Sequence, residues 1–253
     1  MVNITRKDHI IRAEVNRPDS KNAINFEVME ELELVLSEIE ENTAIRVFIL
    51  SGAGDEYFIS GGDLKDFAGL QSGREGREMA TRMTNILHRI ESGRFWSMAC
   101  INGDAYGGGC EMLLAFDFSI ARKTARFGFT QGRFALPPGW GGLTRLVERV
   151  GRSQALDWLG RSAVIPADAA YNAGLINRLS VAPDLVDNTW AWAGQFCGMD
   201  PDLISGLKTG ARFALEASRR ESFDHELEQF GRFWGRDGHH EKVAAFIRKG
   251  RKG

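Results

Sequence analysis

Short apolar runs ended by glycine or a polar turn alternate with amphipathic stretches through the first half of the chain, and this alternation restricts the fold more than any other feature. VNITR and HIIRAEV alternate apolar and polar residues, which predicts a hairpin across Lys7-Asp8. NRPDSKN is a turn cluster. A helix is expected from an N-cap at Asn25 to about Glu41, because Met29, Leu32, Leu36 and Ile39 then share one face. IRVFILSG reads as a short buried strand, and GDEYFISGGDL as an irregular loop. Gly76 to Gly93 reads as a helix with Met79, Met83, Ile86, Leu87 and Ile90 inward. SMACING is a strand, CEMLLAF a short helix and DFSIAR a further strand. Such strand–helix units predict an α/β fold with helices to one side of stacked strands, although no sequence repeat is visible.

From Gly139 the character changes to helix throughout. WGGLTRLVERVG ends at Gly151, a suitable residue to stop a helix, and SQALDWLG follows with Ser153 as its expected cap. Pro166, Pro183 and Pro201 punctuate the shorter segments beyond. Glu221 to Lys249 carries Phe223, Leu227, Phe230, Phe233, Trp234, Val243 and Phe246, so a helical module that packs on a neighbour is expected there.

A chain of 253 residues can bury a sizeable core, and a net charge of -2 offers no electrostatic grip on nucleic acid. The basic tail RKGRKG reads as solvated. The cysteines, Cys100, Cys110 and Cys197, lack metal-like spacing and read as reduced, buried thiols of a cytosolic protein. The five histidines, at 9, 88, 225, 239 and 240, form no metal spacing either. MVNITRKDHI has no apolar signal region and no run approaches a membrane span, so a cytoplasmic location is expected.

Two glycine-rich turns, SGGDL at Ser60 to Leu64 and YGGGCE at Tyr106 to Glu111, each precede a helix-like run. A chain entering a helix leaves backbone N–H groups unpaired in a positive potential. Glycine lets a ligand approach that backbone. One such turn is ordinary turn chemistry; two in one domain suggest a pair of N–H donors converging on one oxygen. The patterns G-x-G-x-x-G, G-x-x-x-x-G-K-[ST] and G-x-S-x-G are all missing, which weighs against dinucleotide binding, a P-loop and an ordinary α/β-hydrolase.

Taken in order, NRPDSKNAI, SGAGDEYFISGGDLKDF, INGDAYGGGCEMLLAFDFSIARKTARFGF and GWGGLTRLVERVGRSQAL resemble the crotonase superfamily, the enoyl-CoA hydratase/isomerase family, over roughly residues 10 to 180. The resemblance implies a crotonase/ClpP-like superhelix of ββα units over 1–195. It implies a helical region over 196–253 for trimerisation or as a lid, and assembly as a homo-trimer or a dimer of trimers. The implied substrate is an acyl-CoA thioester, with no metal and no cofactor beyond the coenzyme A that the substrate carries. Its thioester oxygen would be held, as it becomes an enolate oxygen, by the N–H groups of Gly62 and Gly108. Contacts to CoA would come from Ala23, Ser60, Asp63 and Leu64, and from Phe246 and Lys249 near the C-terminus.

Glu111 matches the first catalytic glutamate of hydratases. As an acid/base it would handle a proton at Cα or Cβ of the acyl group; as a first-turn residue it would merely suit the helix dipole. Gln131 stands where the second glutamate is expected. An amide has no useful basicity, so hydration with two carboxylates is in doubt, and Gln131 is left either to orient a water, a carboxylate or an amide by hydrogen bonding or to be a polar loop residue. No Asp or Glu occurs between Asp117 and Glu148 to replace it. Arg133 is either a binder of a substrate carboxylate or an exposed loop residue. Trp140, Phe134 and Phe129 read as pocket-shaping or packing residues, and His88 as structural.

Three chemistries compete on this framework. Hydration or isomerisation would use Glu111 alone. Decarboxylation of a malonyl-type acyl-CoA needs an oxyanion hole and no strong base, and PPGWGGLTRLVERVGRSQAL resembles the ethylmalonyl/methylmalonyl-CoA decarboxylase branch. Bacterial methylmalonyl-CoA decarboxylases, however, carry a histidine where this chain has Gly62. Hydrolysis or dehalogenation lacks a convincing nucleophile. A degenerate, non-catalytic acyl-CoA-binding protein is the alternative from outside enzymology.

Overall fold

The computed structural model describes residues 1–181, 185–234, 236–239 and 241. The chain forms two compact units, Met1–Met199 and a second that begins at Asp200. In the first, β1 (Val2–Lys7) and β2 (Ile10–Val15) make the hairpin that their alternation predicts. Then α1 (Phe26–Glu41) starts where Asn25 caps it, the Asn25 side chain accepting from the Val28 N–H. The predicted apolar face is buried and extends to Val28 and Val35.

Three strand–strand–helix units follow. They are β3 (Val47–Gly52), β4 (Tyr57–Ile59) and α2 (Gly73–Ser92); β5 (Trp96–Ile101), β6 (Asp104–Tyr106) and α3 (Gly108–Leu113); and β7 (Phe118–Arg122), β8 (Arg126–Gly128) and α4 (Gly142–Val150). The first strand of each unit joins one sheet and the second joins another. After α5 (Arg152–Gly160), β9 (Val164–Pro166) closes the second sheet antiparallel to β8. Beyond α6 (Ala167–Asn172), β10 (Arg178–Ser180) joins the first sheet parallel to β7. The sheets therefore run β1-β2-β3-β5-β7-β10 and β4-β6-β8-β9.

The central parallel strands β3, β5 and β7 of the six-stranded sheet are buried on both faces, as a parallel arrangement requires. Ile11, Ala13, Phe48, Leu50, Ala99 and Ile101 point into the main core with the inner faces of α1 and α2. Their neighbours Ile10, Val47, Ile49, Met98, Cys100 and Ile120 point the other way, onto Leu185, Trp192 and Ala193 of α7 (Leu185–Gly194). Alternate residues of one strand thus feed two separate clusters, the period-2 consequence of strand geometry.

Four expectations need correction. The stretch 54–64 is not wholly irregular, since Tyr57–Ile59 pairs with β6. The chain beyond Gly139 is not all helix, since β9 and β10 complete the two sheets. The α2 helix starts one turn earlier than expected, at a capping box in which Ser72 accepts from the Glu75 N–H and the Glu75 carboxylate accepts from the Ser72 N–H. Gly151, not Ser153, caps α5, so one glycine both ends α4 and begins α5.

The second unit pairs α8 (Pro201–Glu216) with α9 (Arg219–Trp234). Asp200 caps α8 by accepting from the N–H groups of Asp202 and Leu203. Leu207, Leu215, Leu227, Phe230 and Trp234 stay exposed on this pair. Among the described residues no helix is long and apolar enough to cross a membrane.

Candidate active site at the ends of three parallel strands

The second sheet assembles the site. β4, β6 and β8 are parallel neighbours, with Ile59 opposite Ala105 and Tyr106 opposite Gly128. Each chain segment therefore leaves its strand at the same edge. There the sequence places Ser60-Gly61-Gly62 after β4, Gly107-Gly108-Gly109 after β6, and Phe129-Thr130-Gln131 after β8. Residues far apart in sequence meet because register carries them there, at the carboxyl ends of strands where open α/β sheets place ligands.

Glycine is required at this edge. Gly61 and Gly107 have φ of 114° and 50°, in the region side chains disfavour. Gly109 touches the Ile59 carbonyl so closely that a Cβ would collide with it. A Cβ on Gly61 would stand 3.2 Å from the Gly108 nitrogen, so the two turns abut. The Gly107 N–H donates to the Gly128 carbonyl at 2.8 Å, fixing the second turn to β8.

The turns differ in kind, contrary to the expectation that both open helices. Gly108 is the first residue of α3, so its N–H lies outside the intrahelical ladder. Gly62 instead forms an isolated parallel bridge with Ile24, and a 3-10 turn at Phe67–Gly69 and α2 come only later. That bridge uses the amides of Ile24 and Asp63, at 2.9 and 2.8 Å, not that of Gly62. No helix dipole therefore acts at Gly62.

The same bridge gathers the residues expected to contact CoA. Ser60 N–H donates to the Lys21 carbonyl at 3.2 Å, and Arg17 reaches both the Ala23 carbonyl and Asp63 Oδ2, the latter at 2.8 Å. Asp63 Oδ1 also accepts from the N–H groups of Lys65 and Asp66. Burial pushes the Asp63 carboxyl up, but Arg17 and these amides outweigh it and hold the group below its usual range. Asp63 thus braces the loop, while Leu64 beside it is 57% exposed. Phe246 and Lys249 lie outside the described residues.

Glu111 is 3% exposed. Its Oε1 accepts from Gln131 Nε2 at 3.0 Å and from the Gly139 N–H at 3.3 Å. Its Oε2 accepts from the N–H groups of Trp140 at 2.7 Å and Gly142 at 3.0 Å. All four partners are donors, which suits a carboxylate that only accepts. Gly142 begins α4, and a Cβ there would stand 2.6 Å from Glu111 Oε2. The GWGG segment is thus shaped around one carboxylate, and only the glycines hint at it in the sequence.

Gln131 opens a 3-10 turn, Gln131–Phe134, and its side-chain amide reaches Glu111. Its own Oε1 is buried without a protein partner among the described residues. Arg133 donates to the Ser162 carbonyl and is exposed. Phe129 is core, stacked on Trp158 at 5.6 Å, and Phe134 is 58% exposed. His88 is exposed on α2. Among the described residues no cluster of His, Cys, Asp or Glu could hold a metal ion.

At the opposite end of the same strands lies a polar recess of about 350 Å³ lined by Asp55, Glu56, Tyr57, Asp104 and Arg126. Asp104 and Arg126 of this lining are paired. Arg126 and the Tyr106 hydroxyl donate to Asp104, and burial, with Asp104 beside it, pushes the Tyr106 hydroxyl up to about 12.

The chain matches the family model described as enoyl-CoA hydratase/isomerase over residues 5–252. It is 29% identical over 235 residues to a short-chain-enoyl-CoA hydratase of Clostridium acetobutylicum, covering 93% of this chain and 90% of that one. It is 30% identical over 240 residues to an ethylmalonyl-CoA decarboxylase of Bos taurus, covering 94% and 77%. The crystal structure of an enoyl-CoA hydratase from Bacillus anthracis superposes with a TM-score of 0.92 at 27% identity, covering 98% of this chain and 96% of that one.

Proposed function

The chain belongs to the enoyl-CoA hydratase/isomerase family, within the crotonase superfamily, and from that membership we propose an acyl-CoA enzyme of the hydratase or isomerase type. In this reading the thioester oxygen sits between the N–H groups of Gly62 and Gly108, and Glu111 handles the proton. The observation that carries it is the meeting of the two glycine turns, Gly61 against Gly108, with Glu111 on the helix that Gly108 begins. Preorganised amides of this kind contribute about 3–4 kcal/mol each as charge develops on the oxygen.

The acceptor positions of Glu111 are all engaged. To take a proton, Oε1 releases its longest bond, the 3.3 Å contact to the Gly139 N–H. In isomerisation the proton leaves one acyl carbon for Oε1, its electron pair enters the enolate, and the same proton returns at another carbon. In hydration a water proton passes to Oε1 while the water oxygen bonds Cβ, and Cα then takes that proton. Either route balances with one carboxylate, and Gln131 serves as a donor that orients it. Coenzyme A enters as part of the substrate, with no separate cofactor, and the contacts assigned to it are Ala23, Ser60, Asp63, Leu64, Phe246 and Lys249. The exposed apolar side chains of α8 and α9 support assembly as a homo-trimer or a dimer of trimers. A cytoplasmic location completes the reading.

Decarboxylation is the second reading, favoured by the amide at Gln131 and by the fully engaged Glu111. There the Cα–carboxylate bond breaks, carbon dioxide leaves, the electron pair forms the same enolate, and Cα takes a proton from water.

Mass-spectrometric product analysis with crotonyl-CoA and methylmalonyl-CoA in parallel separates the two. Gain of water by crotonyl-CoA, abolished in Glu111→Gln, supports hydration. Loss of carbon dioxide from methylmalonyl-CoA without hydration selects decarboxylation. Neither change, with CoA esters still bound, counts against both and leaves a binding protein.

A further inference from the structure

Trp140 is 5% exposed although Leu136 and Gly139 in the same loop are exposed. Its indole stands against both glycine turns at once. Ring atoms Cη2 and Cε3 lie 2.7 and 2.8 Å from where a Cβ on Gly108 would stand, and Cζ2 lies 3.4 Å from where a Cβ on Gly62 would stand. One benzo ring therefore fills the room that side chains at both positions would otherwise take. The Gly62 side is also bounded by Phe67, whose Cε2 lies 2.7 Å from the same Cβ position.

The ring is held by its backbone. The Trp140 N–H donates to Glu111 Oε2 at 2.7 Å, and the Trp140 carbonyl accepts from Arg145 Nη1 at 2.9 Å. Arg145 is itself fixed by Glu91, at 3.1 and 2.9 Å. Both backbone polar groups of Trp140 are tied to buried or paired partners, and its side chain packs in the main core, so the indole is a fixed wall.

We propose that Trp140 sets the size of the acyl group, admitting short chains and excluding long ones. The proposal rests on the reading that Gly62 and Gly108 hold the thioester oxygen: the carbons next to that carbonyl then lie beside the indole. An aromatic wall at this point accepts a flat, short acyl group and leaves no room for a chain running past it. Phe67 closes the Gly62 side, so the indole is the part whose removal opens space.

The test is calorimetric binding of butyryl-CoA and decanoyl-CoA to the full chain, to Trp140→Ala and to Trp140→Phe. These saturated thioesters keep binding separate from turnover. Wild type is expected to prefer butyryl-CoA. Trp140→Ala should move the ratio of affinities toward decanoyl-CoA by about tenfold or more, the scale at which a pocket discriminates by methylene groups. Trp140→Phe should fall between, and it decides the matter if Trp140→Ala fails to fold. An unchanged ratio in the folded variants, with both thioesters bound, overturns the role of Trp140 and leaves the acyl-CoA site standing. Failure of wild type to bind either thioester overturns both.

Discussion

Gln131 Nε2 donates to Glu111 Oε1 at 3.0 Å, while Gln131 Oε1 is buried with no protein partner among the described residues. The two substitutions that probe this pair have opposite expectations. Gln131→Leu removes a donor and an orphaned acceptor together, so unfolding free energy should change by less than about 1 kcal/mol. Gln131→Glu replaces the donor by a like charge and should cost about 1–3 kcal/mol. Chemical denaturation at neutral pH ranks them; a glutamate variant as stable as wild type means the pair is not in contact in solution.

Glu111 joins α3 to the 139–142 segment, so it matters to stability as well as to chemistry. Glu111→Ala strands the buried amides of Trp140 and Gly142 and should destabilise by about 2–4 kcal/mol. Glu111→Gln keeps the shape and turns one acceptor into a donor, which Gln131 can meet by turning its amide to offer Oε1; it should fold, with turnover lower by about 10²–10⁴. Melting curves and initial rates on the same preparations check both. A Glu111→Ala variant as stable as wild type would show that Glu111 does not tie α3 to the 139–142 segment.

The glycines of the site divide into tight and loose positions. Gly109→Ala would drive a Cβ into the Ile59 carbonyl, an overpacked backbone contact expected to cost about 2 kcal/mol or more. Gly139→Ala meets nothing within 4 Å and keeps its N–H, so a change within about 0.5 kcal/mol is expected. Equal denaturation midpoints for the two variants would show that the turns are not packed as described.

The Arg17–Asp63 pair makes stability depend on pH in one direction. The Asp63 carboxyl is held below its ordinary value of 3.8. A depressed carboxyl contributes fully above its unfolded value and loses that contribution as pH falls through its folded value. The stability gap between wild type and Asp63→Asn should stay constant from pH 8 to about pH 5 and shrink below about pH 4. Thermal melts across that range test it; a gap that widens toward acid has the wrong sign.

Much of the first sheet was legible because its signals are local. The hairpin, the Asn25 cap and the inward faces of α1 and α2 are written in short-range periodicity. The second sheet was not, because β4, β6, β8 and β9 span three residues each, too few to show a period. The site suffers most from this. Gly62, Gly108 and Glu111 are distinguished by glycine-rich flanks, but nothing in the sequence says that Gly61 abuts Gly108. Nor does it say that Glu111 accepts from backbone amides 28 to 31 residues away. Those amides belong to every residue type but proline, so they leave no side-chain signature.

In the proposed reaction a thioester enolate forms at Gly62 and Gly108 with Glu111 as the proton carrier. Mass spectrometry of butyryl-CoA incubated with the protein in deuterium oxide tests this, since over many turnovers Cα gains deuterium when the enolate forms and the proton on Glu111 exchanges with solvent between transfers. Wild type should take up deuterium at Cα, and folded Glu111→Gln should not. Uptake that persists in Glu111→Gln, or no uptake by a wild-type protein that binds the thioester, would contradict it.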